Sequence, residues 1–185
     1  MIGFNLIKNN NLESTSDIET LESVLMFELP ALFKVFMQSF EVGNSNINWN
    51  RFLNPKNGFK SPSGSIKYLP LENARDLFFH GFFNCKELIN DWQLYSHRST
   101  EFSEYGMLRI GSIGMGGGLF IGINESNKDQ IFRVVWDWDE SYELLAENVF
   151  EFVKNLVFVE DFSNMDKIKY EQFYKNWGED FWRVR

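Results

Sequence analysis

The chain has 185 residues, 44% of them hydrophobic and 24% charged, with a formal net charge of −8. This composition excludes a disordered polymer and suits one domain with a sizeable core, made bulky by 20 Phe and 6 Trp. The acidic balance disfavours direct nucleic-acid binding, because phosphate backbones are repelled, and it attracts basic partners. No apolar run approaches the ~20 residues of a membrane helix, and the N-terminus has no secretory pattern, so neither membrane insertion nor export is expected. The single Cys85 allows no internal disulfide and fits a reducing compartment, so a cytoplasmic location is expected.

In chain order, Ser16 or Asp17 is expected to cap a first helix carrying Ile18, Leu21 and Leu25. A break near Phe27–Leu29 and Pro30 then open a second helix over Pro30–Phe40, with Leu32, Phe33, Phe36, Met37 and Phe40 as its apolar stripe. Glu41–Ser65 reads as a long loop that includes a short strand around Trp49–Leu53. Ile66–Leu71 predicts a strand, and Glu72–Gly81 a short helix. Asn84 with Glu87 forms a capping-box pattern for a helix running to about His97 and burying Leu88, Ile89, Trp92 and Tyr95.

The stretch from Met107 to Trp138 organises the chain. Three apolar runs, Met107–Ile113, Leu119–Ile123 and Ile131–Trp138, are separated by a glycine cluster and by the polar turn Asn124–Asp129. They predict an antiparallel three-stranded meander. In the third run Phe132, Val134, Trp136 and Trp138 share one face, read as core; Ile131, Arg133, Val135 and Asp137 share the other, read as mixed. Asp139–Glu147 is expected to be a connector. Asn148 with Glu151 caps a further helix that places Val149, Phe152, Val153 and Leu156 on one side. Ser163 starts a last helix, ending near Gly178, with the aromatic pairs Tyr170/Tyr174 and Phe173/Trp177.

Several of these segments, in this order, resemble the SUKH superfamily, which includes fungal cell-wall-synthesis regulators and bacterial immunity proteins. Glu22, Leu29-Pro30 and the run Leu32, Phe33, Lys34, Phe36 look like its opening helix pair. Leu108-Arg-Ile-Gly111, Gly118-Leu-Phe-Ile-Gly-Ile123 and Ile131–Trp138 look like its strands. Leu144-Leu-Ala146 with Asn148-Val-Phe-Glu-Phe-Val153 looks like its closing helix. Two departures stand out: Phe40-Glu-Val-Gly43 replaces the usual Asn-Gly-Gly, and Leu119 stands where an aspartate is common. The resemblance covers roughly residues 18–156. It implies a single α+β domain, a mainly antiparallel twisted sheet with helices packed against it, to which residues 163–185 add a helical extension. It also implies a binding module rather than an enzyme.

Searches for chemistry give little. Gly114-Met-Gly-Gly-Gly118 lacks a Gly-Lys-Ser/Thr ending and leads into a strand, so it reads as a hairpin turn rather than a phosphate loop. His80, His97 and Cys85 share no metal-ligand spacing, and Cys85 reads as a buried structural residue rather than a reactive thiol. No cofactor, metal or catalytic set is expected. Asp137, Asp139, Glu140 and Glu143 remain as candidate partner-binding residues: with the tryptophans in the core, alternation sends Asp137 and Asp139 outward into an acidic patch. Such a patch suits the basic groove of a toxin domain. The leading expectation is therefore an immunity-type protein that neutralises a toxin by occlusion. A regulatory scaffold binding several cellular partners is the alternative, and a hydrolase or small-ligand protein using the acidic set is a third reading.

Overall fold

A computed structural model of the chain describes residues 13–39, 64–68, 79–113, 117–136, 141–160 and 170–172. The meander is there: strands Met107–Ile113 (β3), Gly117–Gly122 (β4) and Ile131–Val135 (β5) pair antiparallel in succession. Phe79–Phe82 (β2) joins one side and Ser141–Ala146 (β6) the other, giving a five-stranded sheet of order β2-β3-β4-β5-β6. A smaller antiparallel sheet has the order β1-β7-β8, from Gly64–Tyr68, Leu156–Glu160 and Tyr170–Gln172. Helices Thr15–Leu25 (α1), Ala31–Ser39 (α2), Cys85–Leu94 (α3), Thr100–Ser103 (α4) and Val149–Lys154 (α5) complete the α+β fold.

The large core lies between the helices and one face of the five-stranded sheet. Leu21 and Leu25 of α1, Phe33 and Met37 of α2, and Phe152 of α5 are buried against Leu119, Ile121 and Ile131. Here the structure corrects the expected core face. Ile131 and Val135 belong to this helix-covered core, whereas Phe132 and Val134 join a smaller cluster with Met107 and Phe120. Trp136, expected inside, is 44% exposed. Strand alternation says which residues share a face, but buried aliphatic residues stand on both faces of β5, Val134 on one and Ile131 and Val135 on the other, so it cannot say which one the helices cover.

Local signals set the helix starts. The box that opens α1 begins two residues before the expected Ser16: the Ser14 hydroxyl accepts from the Asp17 N–H at 3.1 Å, and the Asp17 carboxylate accepts from the Ser14 N–H at 2.9 Å. The Ser14 hydroxyl donates to the Asp17 carboxylate, and with the Ser14 N–H it holds that carboxyl below its ordinary range. Asn84 and Glu87 form the expected reciprocal pair at α3. That helix ends at Leu94, short of His97, and passes into a 3₁₀ turn at Ser96–Arg98. At α5 the Asn148 side chain accepts from the N–H groups of Phe150 and Glu151, both at 3.0 Å.

Five expected elements differ in whole or in part. Phe79–Phe82 is a strand, so the expected Glu72–Gly81 helix fails at Phe79–Gly81; its residues 72–78 lie outside the described residues. Ser141–Ala146 is a strand rather than a connector. The helix from Asn148 stops at Lys154, and Leu156 begins β7. Tyr170–Gln172 is a strand paired with β7, which removes the Tyr170/Tyr174 helical pair; tertiary pairing overrides a helical periodicity of this length. β1 spans Gly64–Tyr68 instead of Ile66–Leu71. The strand near Trp49–Leu53 and the remainder of the Ser163–Gly178 helix, with Phe173, Tyr174 and Trp177, lie outside the described residues.

The turn between β4 and β5 carries a testable strain. Asp129 has a left-handed φ of 68°. Burial pushes its carboxyl above the ordinary range, against the opposing pull of the Leu32 and Phe33 amides, and its Oδ1 is buried without a hydrogen-bond partner. A carboxyl with a raised folded pKa binds more protons in the folded state, so its ionisation costs stability above that pKa. The cost disappears below the unfolded pKa. Asp129→Asn removes the charge and tolerates the left-handed backbone. The variant is expected to melt higher than wild type at pH 7, with the gap closing as pH falls through the carboxylate range, as thermal melts at several pH values will read. A gap that does not change with pH would assign the effect to backbone preference alone.

Candidate partner-binding surface

At the end of β5 the chain brings together residues far apart in sequence. The Trp136 indole N–H donates to Glu101 Oε1 at 2.9 Å. The Arg109 guanidinium lies 5.2 Å from the Trp136 ring centroid and 5.5 Å from that of Phe83. Arg109 Nη1 donates to Asp91 Oδ1 at 3.2 Å, and the other Asp91 oxygen accepts the Ser96 hydroxyl. Asp91 and Glu101 are 8% and 7% exposed, so each carboxylate is placed by its partners inside the protein.

The local structure explains how these groups meet. Asp91 stands on α3 one turn beyond the buried Leu88, at a position of the helix that faces the interior. The 3₁₀ turn returns the chain so that Ser96 reaches Asp91, and Ser99 then accepts from the Phe102 N–H to start α4, which carries Glu101. Arg109 precedes a register shift between Arg109 and Gly111 in β3. On β4, where Phe120 is the residue paired with Arg109, Gly118 leaves the room: a Cβ there would lie 2.5 Å from Phe120 Cε2 and 3.2 Å from Arg109 Nε. Phe120 in turn meets Trp136 edge to face at 6.3 Å.

Of the four acidic candidates, Asp137, Asp139 and Glu140 lie outside the described residues. The premise that sent them outward, tryptophans packed in the core, fails at Trp136. Glu143 is on β6 opposite Arg133, 3.8 Å from its Nη1, with its side chain 41% exposed. That is a long, partly solvated pair of small energetic weight. The network residues Asp91, Glu101 and Arg109 escaped the sequence reading. One signal was available: Asp91 stands three residues after Leu88 and beside Trp92 on the inward side of the helix, whereas Tyr95, expected to be buried with them, is 65% exposed.

The arrangement holds a half-exposed indole on buried charged groups. Cys85 is buried, and burial with the nearby Glu13 carboxylate drives its thiol far above the ordinary range. His97 is held by its neighbours, with Nδ1 2.6 Å from the Trp92 carbonyl oxygen and Nε2 accepting from Arg98 Nε at 2.8 Å. Among the described residues no cluster of three or more His, Cys, Asp or Glu is placed to hold a metal ion, and no helix is long and apolar enough to cross a membrane.

Residues 13–155 match the SMI1/KNR4 family (SUKH-1), a span that takes in the five-stranded sheet, its covering helices and the whole Trp136 network. No curated protein matches the chain. With most of its length matched, and with the antiparallel sheet and packed helices in place, the chain belongs to the SMI1/KNR4 family, SUKH-1.

Proposed function

We propose that this protein is a non-catalytic binding module of the immunity type, acting in the cytoplasm, which neutralises a cognate toxin by covering its active site or substrate groove. Membership of the SUKH-1 family carries the reading at its coarser level, an immunity or regulatory module that works by binding a protein partner. The net charge of −8 favours a partner with a basic groove, of the sort that grips phosphates, and speeds encounter with it. An exposed tryptophan held by buried charges supplies the kind of anchor that interfaces use.

The test is co-expression with toxin-like proteins encoded beside the gene. The expected outcome is a stable one-to-one complex and restored growth of cells producing that toxin. If no adjacent toxin-like protein binds or is neutralised, the immunity role is wrong. Recovery of several housekeeping proteins from unstressed cells, in the absence of such a toxin, would instead point to a regulatory scaffold.

A further inference from the structure

Trp136 combines three properties that an ordinary surface tryptophan lacks. It is 44% exposed although it continues a strand whose preceding residues, Val134 and Val135, are buried. Its one polar handle is already used, since the indole N–H is bonded to the buried Glu101. Its ring is braced by Arg109, which is itself held by Asp91. The ring is therefore oriented before any partner arrives, which lowers the entropic cost of docking. Met26 stands singly at a helix end, and the adjacent exposed pair Leu94 and Tyr95 at the end of α3 has no buried charged group bonded to its side chains among the described residues.

The chemistry of the occupant follows from what the ring still offers. With the N–H taken, the exposed surface is an aromatic face and edge without a free donor, so it accepts apolar or cationic groups. Beneath it the formal charges are two carboxylates, Asp91 and Glu101, against the one guanidinium of Arg109. The chain as a whole carries a net charge of −8. That balance repels anions and favours cations. We infer that Trp136 is the anchor of an interaction surface for a basic protein partner, with an arginine or lysine side chain of that partner laid against its exposed ring. The inference rests on reading the chain as a protein-binding module, and it adds the point of contact and the chemistry of the group received.

The experiment uses the full chain labelled with ¹⁵N, with the Trp136 indole resonance assigned through Trp136→Phe. Octa-arginine peptide is titrated in, with octa-glutamate and an uncharged Gly-Ser peptide as controls. The expected result is a saturable shift of the Trp136 indole with octa-arginine alone, and binding weakened roughly fivefold in Trp136→Ala. An unmoved Trp136 indole, or equal affinity in Trp136→Ala, overturns the inference and leaves only diffuse charge attraction. Should Trp136→Ala fail to fold, the wild-type indole shift decides by itself. The two readings separate cleanly. A toxin neutralised equally well by Trp136→Ala removes the anchor and keeps the immunity role. A cationic peptide that titrates Trp136, in a protein that neutralises no toxin, does the reverse.

Discussion

Asp91→Ala is expected to destabilise the protein by about 3 kcal/mol, because it leaves the Arg109 guanidinium largely inside the protein without its carboxylate. The Asp91 and Arg109 side chains are 10% and 23% exposed, and their contact is 3.2 Å. Arg109 Nε is buried with no hydrogen-bond partner even in the intact network, so the guanidinium has little to fall back on. The Ser96 hydroxyl loses its acceptor in the same substitution. In a chain of this size a loss of 3 kcal/mol corresponds to a melting temperature lower by roughly 6–12 °C.

The companion double variant separates charge from packing. Asp91→Leu with Arg109→Met replaces the pair by apolar groups of similar bulk, and it is expected to recover most of the stability that Asp91→Ala loses. It should not recover the bracing of Trp136, since the guanidinium over that ring is gone. Denaturant melts give the first quantity, and the indole N–H resonance of Trp136 reports the second. If Asp91→Ala melts within about 1 °C of wild type, the ion pair contributes little to stability and Arg109 is solvated on its own.

The sequence was most informative where one signal acted alone. β3, β4 and β5 carry β-branched and aromatic runs bounded by glycine or asparagine, and all three are strands, although β4 starts at Gly117 rather than Leu119 and β5 stops at Val135, short of the expected Trp138. The capping residues Asn84 and Asn148 were readable because each cap depends on residues two or three positions away. Legibility failed where the deciding partner is distant. Ser141–Ala146, with its Glu-Leu-Leu-Ala, shows no alternation; it is a strand because β5 lies beside it. Leu156–Glu160 is taken from the end of a helix by pairing with β1. The Trp136 network was invisible for the same reason, since Trp136 and Glu101 are 35 positions apart and Asp91 and Arg109 are 18 apart. Alternation correctly grouped Phe132 with Val134, yet the choice of covered face belongs to the helices.

The Gly111 of the family-like Leu108-Arg-Ile-Gly111 run finds a physical reason in the same terms. β2 shifts register against β3 between Phe79 and Gly81, β3 shifts against β4 between Arg109 and Gly111, and a Cβ at Gly111 would lie 2.4 Å from the Gly81 carbonyl oxygen. Only glycine lets the two backbones approach so closely. The residue is needed by the sheet, and Arg109, which braces Trp136, stands two positions before it. Motif residues of this kind mark the scaffold on which the Trp136 surface is placed.

Glu22→Ala is expected to cost about 2–3 kcal/mol, for a reason that the motif Glu22, Leu29-Pro30, Lys34 encodes in one dimension. Helix α1 ends where Met26 adopts a left-handed φ of 66° and gives its N–H to the Glu22 carbonyl. The chain then reverses into α2. Glu22 Oε1 accepts the Leu29 N–H at 2.7 Å and lies 3.0 Å from Lys34 Nζ, so one carboxylate joins both sides of the turn. Leu29 is 2% exposed, and its amide has little access to water once that acceptor is removed. Lys34→Ala removes only the ion pair and is expected to cost less than about 1 kcal/mol. Glu22→Gln, which keeps an oxygen for the Leu29 N–H, should fall between the two. The order Lys34→Ala, Glu22→Gln, Glu22→Ala, with the last melting roughly 5–10 °C below wild type, is the signature of a turn fastened by its backbone hydrogen bond. Equal losses for Glu22→Ala and Lys34→Ala would assign the whole effect to the ion pair. In that event the glutamate seven residues before the Leu-Pro step is a matter of surface charge, and the angle between α1 and α2 is set by Leu25, Leu29 and Phe33 packing alone.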